Sequence, residues 1–355
     1  MTDKILMKGN EAIGEAAIRA GCRYYFGYPI TPQNEILGYM AINLPKCNGV
    51  FVQSESELAG ISMVYGAAAS GKRAMTSSSS PGISLMQEGI SYMASAELPA
   101  VIVNITRGGP GLGRITPAQS DYFQATKGGG HGDYHLLVFA PASAQEMANL
   151  TSLAFELADK YRMPAMILGD AIIGQMMEPV ALKEPIGLQD LPPKPWAATG
   201  IKEGKRHLVL SAPFTDEKLV TLNEKLSKKY KEIAEKEIRF EDYMTEDADI
   251  IIVAFGIVSR FSKEAIENLR MEGYKVGLIR PITLYPFPSK IIREKAEKVK
   301  AFLTVEMNEG QMIEDVKLAV YGKTTVDFLG GGGGKITLPS DIENKIKQML
   351  SKGGY

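Results

Sequence analysis

The chain has 355 residues, of which 45% are apolar and 23% charged, and its 40 basic residues nearly balance its 41 acidic residues. This length allows about two domains, each with a core of its own. The balanced charge argues against nucleic acid or an anionic membrane as the main partner. No stretch reaches the roughly 18 consecutive apolar residues of a membrane span, and the start lacks an apolar run of signal-peptide length. We therefore expect a cytoplasmic protein.

The residue types offer little for a metal site. Two cysteines, Cys22 and Cys47, cannot by themselves hold an iron-sulfur cluster, which usually takes four thiolates. His131 and His135 lie four residues apart, but in a glycine-rich segment without helical periodicity. We interpret both histidines as structural or solvent-facing side chains and predict no metal ligands in this chain, so any cluster must lie on another chain.

Helical and extended patterns alternate through the first half of the chain. Asn10 is available to cap a first helix that Gly21 ends. The pattern over residues 144–161 predicts the best-marked helix, with Ser143 and Glu146 as its capping box. Buried strands are expected at residues 24–28, 50–53, 73–76, 100–105, 136–139 and 164–168. This alternation predicts a mainly parallel sheet covered by helices on both faces.

The pattern lapses after residue 184 and then resumes. Residues 184–206 are proline-rich and read as an extended connector packed on the surface. The charged residues 223–242 are typical of a mostly solvated helix. A second alternating block starts near residue 249, and Pro339 introduces the last helix. We therefore predict two doubly wound α/β domains, at residues 1–185 and 246–355, joined by the connector 186–245.

The glycine-rich segments make weak nucleotide motifs. The run from Gly109 to Gly113 begins like a dinucleotide fingerprint but lacks its third glycine. The run ending at Lys323 and Thr324 resembles a phosphate loop, yet Lys317 occupies the place of its first glycine. Residues 330–334 are all glycine and predict a flexible loop.

Two polar segments follow the first two predicted strands. Thr31 lies in the turn after the first strand, and the carboxyl ends of parallel strands are where such sheets bind ligands. A rigid turn in which Thr31 caps the next helix is the simpler interpretation. Glu55 and Glu57 follow the second strand at the start of a helix, so they are poorly placed to share a proton. We expect one to be buried and the other solvated, although a plain helix N-terminal acid remains an adequate alternative.

Two further polar segments follow later strands. Residues 77–80 are serines that form a turn before a helix, suited to an anion or to a helix cap. Arg107 follows the strand at residues 100–105 and could grip a carboxylate with two parallel hydrogen bonds, unless it forms a surface salt bridge. All four segments follow strands that could be neighbours in one sheet, so we predict that they converge.

Seven segments spread over nearly the whole chain are characteristic: GYPITP (27–32), QSESELAG (53–60), TSSSSPGISLM (76–86), NITRGGPGLG (104–113), KGGGHGDY (127–134), LIRPITLYPFP (278–288) and VEMNEGQM (305–312). Together they resemble the α subunit of the thiamine diphosphate-dependent 2-oxoacid:ferredoxin oxidoreductases, most of all the type acting on 3-methyl-2-oxobutanoate. The resemblance implies a pyrimidine-binding domain followed by a transketolase C-terminal-like domain.

The resemblance also implies roles for individual residues. Glu57 matches the glutamate that hydrogen-bonds the aminopyrimidine ring and so assists removal of a proton from the cofactor, whereas Glu55 is displaced by two positions. Thr31 and Arg107 match the pair that meets the carboxylate and carbonyl of the oxoacid. Further cofactor contacts are implied for Tyr28, Pro29, Ile30 and Ser80.

The resemblance further implies that the chain acts with partners. The segment most similar to a diphosphate-binding GDG motif is Gly169-Asp170-Ala171, and it lacks the asparagines that would follow such a motif. The diphosphate and magnesium should therefore bind a β subunit. Iron-sulfur clusters are implied on partner subunits, with γ and ferredoxin-like δ subunits, coenzyme A and ferredoxin completing the reaction. A 2-oxoglutarate enzyme is the main alternative, with Arg114, Lys127 and His131 as candidate cations for the distal carboxylate. A non-catalytic scaffold is a second alternative, which the charged residues at the strand ends disfavour.

Overall fold

The computed structural model describes residues 4–202 and 204–351. Residues 1–3 of the predicted first domain, residue 203 of the connector and residues 352–355 of the predicted second domain lie outside the described residues. The strands are β1 Lys4–Lys8, β2 Tyr24–Gly27, β3 Val50–Gln53, β4 Ala74–Ser78, β5 Ala100–Thr106, β6 Leu137–Phe139, β7 Pro164–Asp170, β8 Met177–Ala181, β9 Ile201–Lys202, β10 Lys205–Arg206, β11 Phe240–Tyr243, β12 Ile250–Val253, β13 Val276–Pro281, β14 Thr283–Tyr285, β15 Ala301–Glu306 and β16 Thr325–Gly330. The α-helices are α1 Gly9–Arg19, α2 Asn34–Asn43, α3 Glu57–Ala69, α4 Ser80–Ser95, α5 Tyr122–Thr126, α6 Ala144–Tyr161, α7 Ala171–Gln175, α8 Asp216–Lys236, α9 Gly256–Met271, α10 Ser289–Lys295, α11 Met312–Val320 and α12 Pro339–Ser351. None of these helices combines the length and the apolar character needed to cross a membrane.

The larger sheet has seven strands in the order β14–β6–β7–β5–β4–β2–β3. Its pairs are parallel except for β14 with β6. Strands β4, β5 and β7 are buried along their whole length, as expected for a parallel sheet covered on both faces. Around it, α1 packs against α2 and α6, and α3 packs against α4.

The smaller sheet has five strands in the order β11–β13–β12–β15–β16. It is parallel except at its edge, where β11 runs antiparallel to β13. Helix α9 packs against α12, and α10 packs against α11. Two parallel sheets with interleaved helices confirm the predicted fold class of two doubly wound α/β units.

Contacts between the two sheets stabilise the edge where the polar segments lie. Strand β14 comes from the second half of the chain yet completes the first sheet. Gln119 joins the two units at three atoms: its backbone N–H donates to the carbonyl of Met307 at 2.9 Å, its Oε1 accepts from the Met307 N–H at 3.2 Å, and its Nε2 donates to the carbonyl of Phe255 at 2.9 Å. Because all of these polar groups are satisfied by one another, this contact stabilises the relative position of the two sheets.

The connector packs on the surface as predicted, but the charged helix was placed wrongly. Trp196 lies under the guanidinium of Arg162, with 4.4 Å from the guanidinium carbon to the ring centroid. The charged helix spans Asp216–Lys236 instead of residues 223–242, and Thr215 caps it by accepting from the Lys218 N–H. Residues 240–243 form β11 because they pair with β13, and the local sequence gives no sign of this distant pairing.

Three local predictions have mixed outcomes. Asn10 does not cap α1, which begins one residue earlier; it lies inside the helix, buried, and donates to the carbonyl of Pro32 at 2.8 Å. Ser143 caps α6 as predicted, while Glu146 accepts from Ala142 instead of Ser143. The all-glycine run starts at the end of β16 and continues as a loop, in which the N–H of Gly332 donates to Glu309 at 2.6 Å and Gly334 lies against Thr116 of the first unit.

Candidate active site

The strand order brings the four polar segments together. Strands β5, β4, β2 and β3 are consecutive neighbours in the larger sheet and run parallel. Arg107, Ser80, Thr31 and Glu57 each follow one of these strands, so all four lie along the same carboxyl edge. The predicted convergence is confirmed, and it places these residues where open α/β sheets bind ligands.

Glu57 is a buried carboxylate with few partners. Its residue is 4% exposed, whereas Glu55 is exposed, as expected from their different positions around the start of α3. Ser56 caps α3, so Glu57 occupies the first turn, where the helix dipole favours a negative charge. Its only hydrogen bond in the described structure comes from the Ser78 hydroxyl at 3.4 Å. Most of its acceptor capacity is therefore left for a ligand.

A missing side chain makes room for this carboxylate. A Cβ at Gly82 would collide with both the Ser78 hydroxyl and the Glu57 carboxylate oxygen. Glycine is therefore required in the first turn of α4 for Glu57 to keep its position. The space around this carboxylate is shaped by α3, β4 and α4 together.

Arg107 is a buried cation with an unsatisfied donor. Its residue is 7% exposed, so it is not a surface salt bridge. Nη1 donates to the carbonyl of Thr31 at 3.0 Å, and Nη2 donates to the carbonyl of Leu112 at 2.8 Å. Its Nε is buried without any partner. Since a guanidinium carries five N–H donors in a fixed fork, the Nε side keeps a donor that the protein leaves unsatisfied and that a carboxylate could satisfy.

Ser80 connects this cation to a buried polar cluster. Its hydroxyl accepts from the Arg107 N–H at 3.0 Å, and its own N–H donates to Asn104 at 3.1 Å. Asn104 in turn donates to the Asp121 carboxylate at 2.8 Å. Burial raises the pKa of Asp121 above its ordinary value. The cluster fixes the backbone from which Arg107 projects.

The turn after β2 carries the remaining predicted residues. Tyr28 and Pro29 are exposed, while Ile30 and Thr31 are half-buried. Thr31 does not cap α2, whose cap position is Gln33; its hydroxyl accepts only a long hydrogen bond of 3.5 Å from an asparagine in α2. The turn thus presents a hydroxyl and several accessible groups next to Arg107.

Buried amides that sequence reasoning missed hold this turn. Gln33 is fully buried, accepts from the Ser77 hydroxyl at 2.5 Å and donates to the carbonyl of Tyr28 at 3.2 Å. Asn10 holds the carbonyl of Pro32 from the other side. In the sequence, these residues are two amides near the first strand. An amide at such a position can equally well be buried and hold a turn or lie on the surface, so the sequence alone does not identify this role.

The other motifs have structural roles. The segment after Arg107 is a tight hairpin in which Gly108 and Arg114 form a β-bridge, not the strand-turn-helix of a dinucleotide site. Lys323 pairs with Glu297 in a turn, so it does not serve a phosphate loop. His135 stacks on Tyr285 with ring centroids 4.1 Å apart. Within residues 4–202 and 204–351, no group of three His, Cys, Asp or Glu side chains could hold a metal ion.

The arrangement can bind two different chemical groups side by side. The buried Glu57 carboxylate can accept a hydrogen bond from a ring nitrogen, and the free side of Arg107 can bind a carboxylate. These are the groups of the aminopyrimidine of thiamine diphosphate and of a 2-oxoacid, so the residues present fit both. Buried charged groups at a ligand-binding edge that keep unused hydrogen-bonding capacity are typical of active sites.

Comparison with known proteins supports this interpretation. Residues 15–238 match the family of pyruvate flavodoxin/ferredoxin oxidoreductases, in its thiamine diphosphate-binding domain, and residues 248–342 match core domain II of pyruvate:ferredoxin oxidoreductase. The chain is 52% identical to ketoisovalerate oxidoreductase subunit VorB of Methanothermobacter marburgensis, over 98% of both chains. It is 38% identical to 2-oxoglutarate synthase subunit KorA of the same organism, over 98% of this chain and 100% of the relative.

A solved structure extends the similarity to the whole described fold. The 2-oxoglutarate:ferredoxin oxidoreductase from Magnetococcus marinus, with 2-oxoglutarate, coenzyme A and succinyl-CoA bound, superposes with a TM-score of 0.87 at 27% identity. The match covers 98% of this chain but only 66% of that one, so the chain spans about two thirds of that protein's length. The resemblance inferred from the seven sequence segments is confirmed.

Proposed function

The chain belongs to the pyruvate flavodoxin/ferredoxin oxidoreductase family, and on that premise we propose that it is the α subunit of a 2-oxoacid:ferredoxin oxidoreductase acting on 3-methyl-2-oxobutanoate. The proposed reaction converts the oxoacid, coenzyme A and two oxidised ferredoxins into the acyl thioester, carbon dioxide, two reduced ferredoxins and one proton. The segments 1–185 and 246–355 would be its pyrimidine-binding and transketolase C-terminal-like domains.

One observation carries the proposal: a buried arginine with an unpartnered Nε lies at the same sheet edge as a nearly unpartnered buried glutamate. We assign the oxoacid carboxylate to the Nε side of Arg107, since this would satisfy the donor that the protein leaves free. The Thr31 hydroxyl, next to the same guanidinium, would donate to the oxoacid carbonyl. Together they would fix the oxoacid in one orientation.

Glu57 would hold the aminopyrimidine of thiamine diphosphate. When bound, this cofactor supplies the nucleophilic carbon that attacks the oxoacid carbonyl and stabilises the charge left after carbon dioxide departs. Glu57 would hold a hydrogen bond to the ring nitrogen and thereby favour the imino tautomer of the aminopyrimidine, whose nitrogen is the one that can take up a proton. Tyr28, Pro29, Ile30 and Ser80 would line the cofactor from the ends of β2 and β4.

The remaining chemistry requires partner subunits. We propose that a β subunit binds the diphosphate and magnesium, and that γ and ferredoxin-like δ subunits complete the complex and carry the iron-sulfur clusters. The position of Asp170 supports this division, because both of its oxygens already accept backbone N–H groups, from Ile173 at 3.0 Å and Ile257 at 2.8 Å. The free thiols of Cys22 and Cys47 are compatible with a reducing, cytoplasmic location.

The branched oxoacid is favoured over 2-oxoglutarate on two grounds. Two relatives named for ketoisovalerate, another name of 3-methyl-2-oxobutanoate, are 52% and 50% identical over nearly the whole chain, whereas relatives named for 2-oxoglutarate are 37%, 38% and 40% identical. Of the cations that could meet a distal carboxylate, Lys127 is paired with Asp315, and His131 and Arg114 are exposed. A second carboxylate would therefore lack a buried cation of this chain to meet it.

The proposal is tested by anaerobic, coenzyme A-dependent reduction of a viologen dye by the co-purified complex. The three substrates 3-methyl-2-oxobutanoate, 2-oxoglutarate and pyruvate are compared side by side. The highest kcat/KM is expected for the branched acid. A preference for 2-oxoglutarate would replace the proposed substrate, and reduction with none of the three would refute the catalytic role.

A further inference from the structure

A network of buried hydroxyl and amide groups connects the middle of β2 to the turn that carries Thr31. It starts at the hydroxyl of Tyr25, which lies 2.6 Å from the hydroxyl oxygen of Ser77. Ser77 donates to Oε1 of Gln33 at 2.5 Å, and Nε2 of Gln33 donates to the carbonyl of Tyr28 at 3.2 Å. Tyr25, Ser77 and Gln33 are all fully buried. These three residues, the Tyr25 network, therefore join β2, β4 and the turn away from solvent.

The hydrogen bonds of the Tyr25 network run in one direction. The Ser77 hydroxyl has a single hydrogen, which it gives to Gln33, so Tyr25 must be the donor to Ser77. The amide of Gln33 is oriented as well, because its oxygen faces a donor and its nitrogen faces a carbonyl. Consecutive hydrogen bonds strengthen one another in a buried site. The orientation of Gln33 is thus set by a hydroxyl two hydrogen bonds away.

The sequence of β2 lets the Tyr25 hydroxyl reach this point. Tyr25 and Gly27 lie two residues apart and therefore on the same face of the strand. A Cβ at Gly27 would lie 2.6 Å from the Tyr25 hydroxyl, so the ring extends over the bare glycine towards the carboxyl edge. Phe51 of β3 stacks on the same ring, with centroids 5.7 Å apart. Strand packing consequently fixes the first donor of the network.

The other end of the network holds the turn of the proposed oxoacid site. The backbone N–H of Gln33 donates to the carbonyl of Ile30 at 3.2 Å, in addition to the side-chain bond to Tyr28. These two bonds close the turn in which Thr31 lies. The carbonyl of Thr31 in turn accepts from Nη1 of Arg107 at 3.0 Å. A displaced turn would therefore move the Thr31 hydroxyl and the arginine fork together.

We propose that Tyr25, Ser77 and Gln33 are positioning residues for the oxoacid reaction. Their hydrogen bonds set the turn so that the Thr31 hydroxyl and the Arg107 fork meet one substrate molecule. This inference rests on the proposed function, because it needs an oxoacid at this edge of the sheet. The network acts through the turn and not through contact with the substrate. A displacement of about 1 Å in a reacting group can cost about a hundredfold in rate, so loss of the network is measurable in catalysis.

Two substitutions of Gln33 test the network in the assembled complex. Gln33→Met keeps the length of the side chain and removes both of its hydrogen bonds. Gln33→Glu keeps both bonds while the new carboxyl is protonated, because its carbonyl oxygen can accept from Ser77 and its O–H can donate to the Tyr28 carbonyl. Once ionised, the carboxylate turns an acceptor towards that carbonyl and loses the second bond. The two variants therefore differ only where the carboxyl is protonated.

The surroundings determine where this carboxyl titrates. Both side-chain partners of Gln33 are uncharged, so burial should raise the pKa of the introduced group. Among the titratable neighbours, Tyr25 is a neutral donor, Glu35 and Glu57 are carboxylates that raise the same pKa, and Arg107 is a cation that opposes them across the turn. Buried glutamates with pKa values of about 8 to 9 are known, so measurements from about pH 6 to about pH 9 cover the titration.

The assay is kcat/KM for the oxoacid in viologen reduction, expressed at each pH relative to the wild type at the same pH. For Gln33→Met we expect a fall of about tenfold or more at every pH. Gln33→Glu should be close to wild type at the acidic end and approach Gln33→Met at the alkaline end. A wild-type value for Gln33→Met, or a relative kcat/KM of Gln33→Glu that does not change with pH, would overturn the inference.

A matched pair of tyrosines separates positioning from stability. Tyr25 and Tyr161 are both buried, and the hydroxyl of each makes a 2.6 Å hydrogen bond to a side chain, in Tyr161 to Glu237. Tyr161 ends α6 and lies at the opposite edge of the sheet. Tyr25→Phe and Tyr161→Phe should both lower the melting temperature, but only Tyr25→Phe should lower kcat/KM for the oxoacid, by about threefold or more. Equal losses of kcat/KM, or no loss in Tyr25→Phe, would contradict the positioning role.

Carbon dioxide release separates this inference from the proposed function. A wild-type complex that releases no carbon dioxide from any oxoacid in a single turnover would refute the function itself. If 2-oxoglutarate proves to be the preferred acid, the same variants are measured with it, because both acids carry the carboxylate and carbonyl assigned to Arg107 and Thr31. If Gln33→Met fails to assemble, Tyr25→Phe, which removes a single oxygen atom, decides the inference against Tyr161→Phe.

Discussion

Replacing Arg107 tests the substrate site most directly. In the structure the Nη1 and Nη2 atoms of this arginine donate to the carbonyls of Thr31 and Leu112, and its Nε has no hydrogen-bond partner. Arg107→Ala removes the free side of the fork together with the charge. Arg107→Lys keeps the charge, but a single ammonium cannot reproduce a planar fork that serves two carbonyls and a carboxylate at once.

The magnitude follows from the number of bonds lost. A carboxylate on the Nε side would form two charge-assisted hydrogen bonds, each worth about 1.5–3 kcal/mol. Their loss of about 3–6 kcal/mol corresponds to a fall of roughly 10² to 10⁴ in kcat/KM for the oxoacid, since about 1.4 kcal/mol is tenfold. Arg107→Lys should fall between the wild type and Arg107→Ala. Because the thiamine ring is assigned to a different strand end, its apparent affinity should change far less.

The assay measures kcat/KM for the oxoacid and the activating concentration of thiamine diphosphate in the same complex. Arg23 is the matched control: its Nη1 also bonds backbone carbonyls and its Nε also lacks a partner, but it precedes β2, at the opposite edge of the sheet. Arg23→Ala should leave kcat/KM at the wild-type value. Equal effects of Arg107→Ala on oxoacid and cofactor would mean that Arg107 holds the cofactor or the fold, and would refute the assignment.

Three further predictions concern buried groups. Glu57→Gln should lower oxoacid-dependent viologen reduction by about a hundredfold or more, the usual scale of a lost acid-base function, while gel filtration shows intact assembly; unchanged turnover would remove the role. Gly82→Ala, whose Cβ would displace the Glu57 carboxylate, should lower turnover in the same assay, whereas Gly38→Ala, whose Cβ meets no atom within 4 Å, should not. Burial raises the pKa of Asp170 from 3.8 to about 6. The folded chain therefore binds more protons than the unfolded chain between these values, and this group's contribution to stability falls as pH rises from 5 to 7, by roughly 1 kcal/mol. Asp170→Asn removes this titrating group. The difference between the melting temperatures of the wild type and the variant should therefore decrease from pH 5 to pH 7. A difference that stays constant would contradict the raised pKa.

The sequence predicts the site edge well because the relevant signals are local. Each apolar run that forms β2, β3, β4 or β5 ends in polar residues, and parallel strands place their carboxyl ends at one edge. Positions such as Thr31 and Arg107 can thus be found without knowing the strand order. The order itself, which makes the four segments consecutive, emerges only from the structure.

Features that depend on distant pairing could not be read from the sequence. The segment at residues 240–243 looks like the end of a charged helix, yet its pairing with β13 makes it a strand. Strand β14 joins a sheet whose other members lie more than a hundred residues earlier. Asn10 and Gln33 are fully buried and donate hydrogen bonds to the turn after β2. The sequence around a polar residue does not show that it will be buried in this way.

Satisfaction of hydrogen bonds, more than burial, separates the structural carboxylates from the catalytic candidate. Glu306 is fully buried, but its oxygens accept from the N–H groups of Met312 at 2.7 Å and Ile313 at 3.0 Å, at the start of α11. Asp170 likewise caps two helix starts in different units. Glu57 is also buried, at 4% exposed, and lies at a helix start of its own, yet its carboxylate accepts one long hydrogen bond, from Ser78. Both oxygens of Glu306 and of Asp170 accept backbone N–H groups, whereas most of the acceptor capacity of Glu57 is open, as a ligand-binding carboxylate requires.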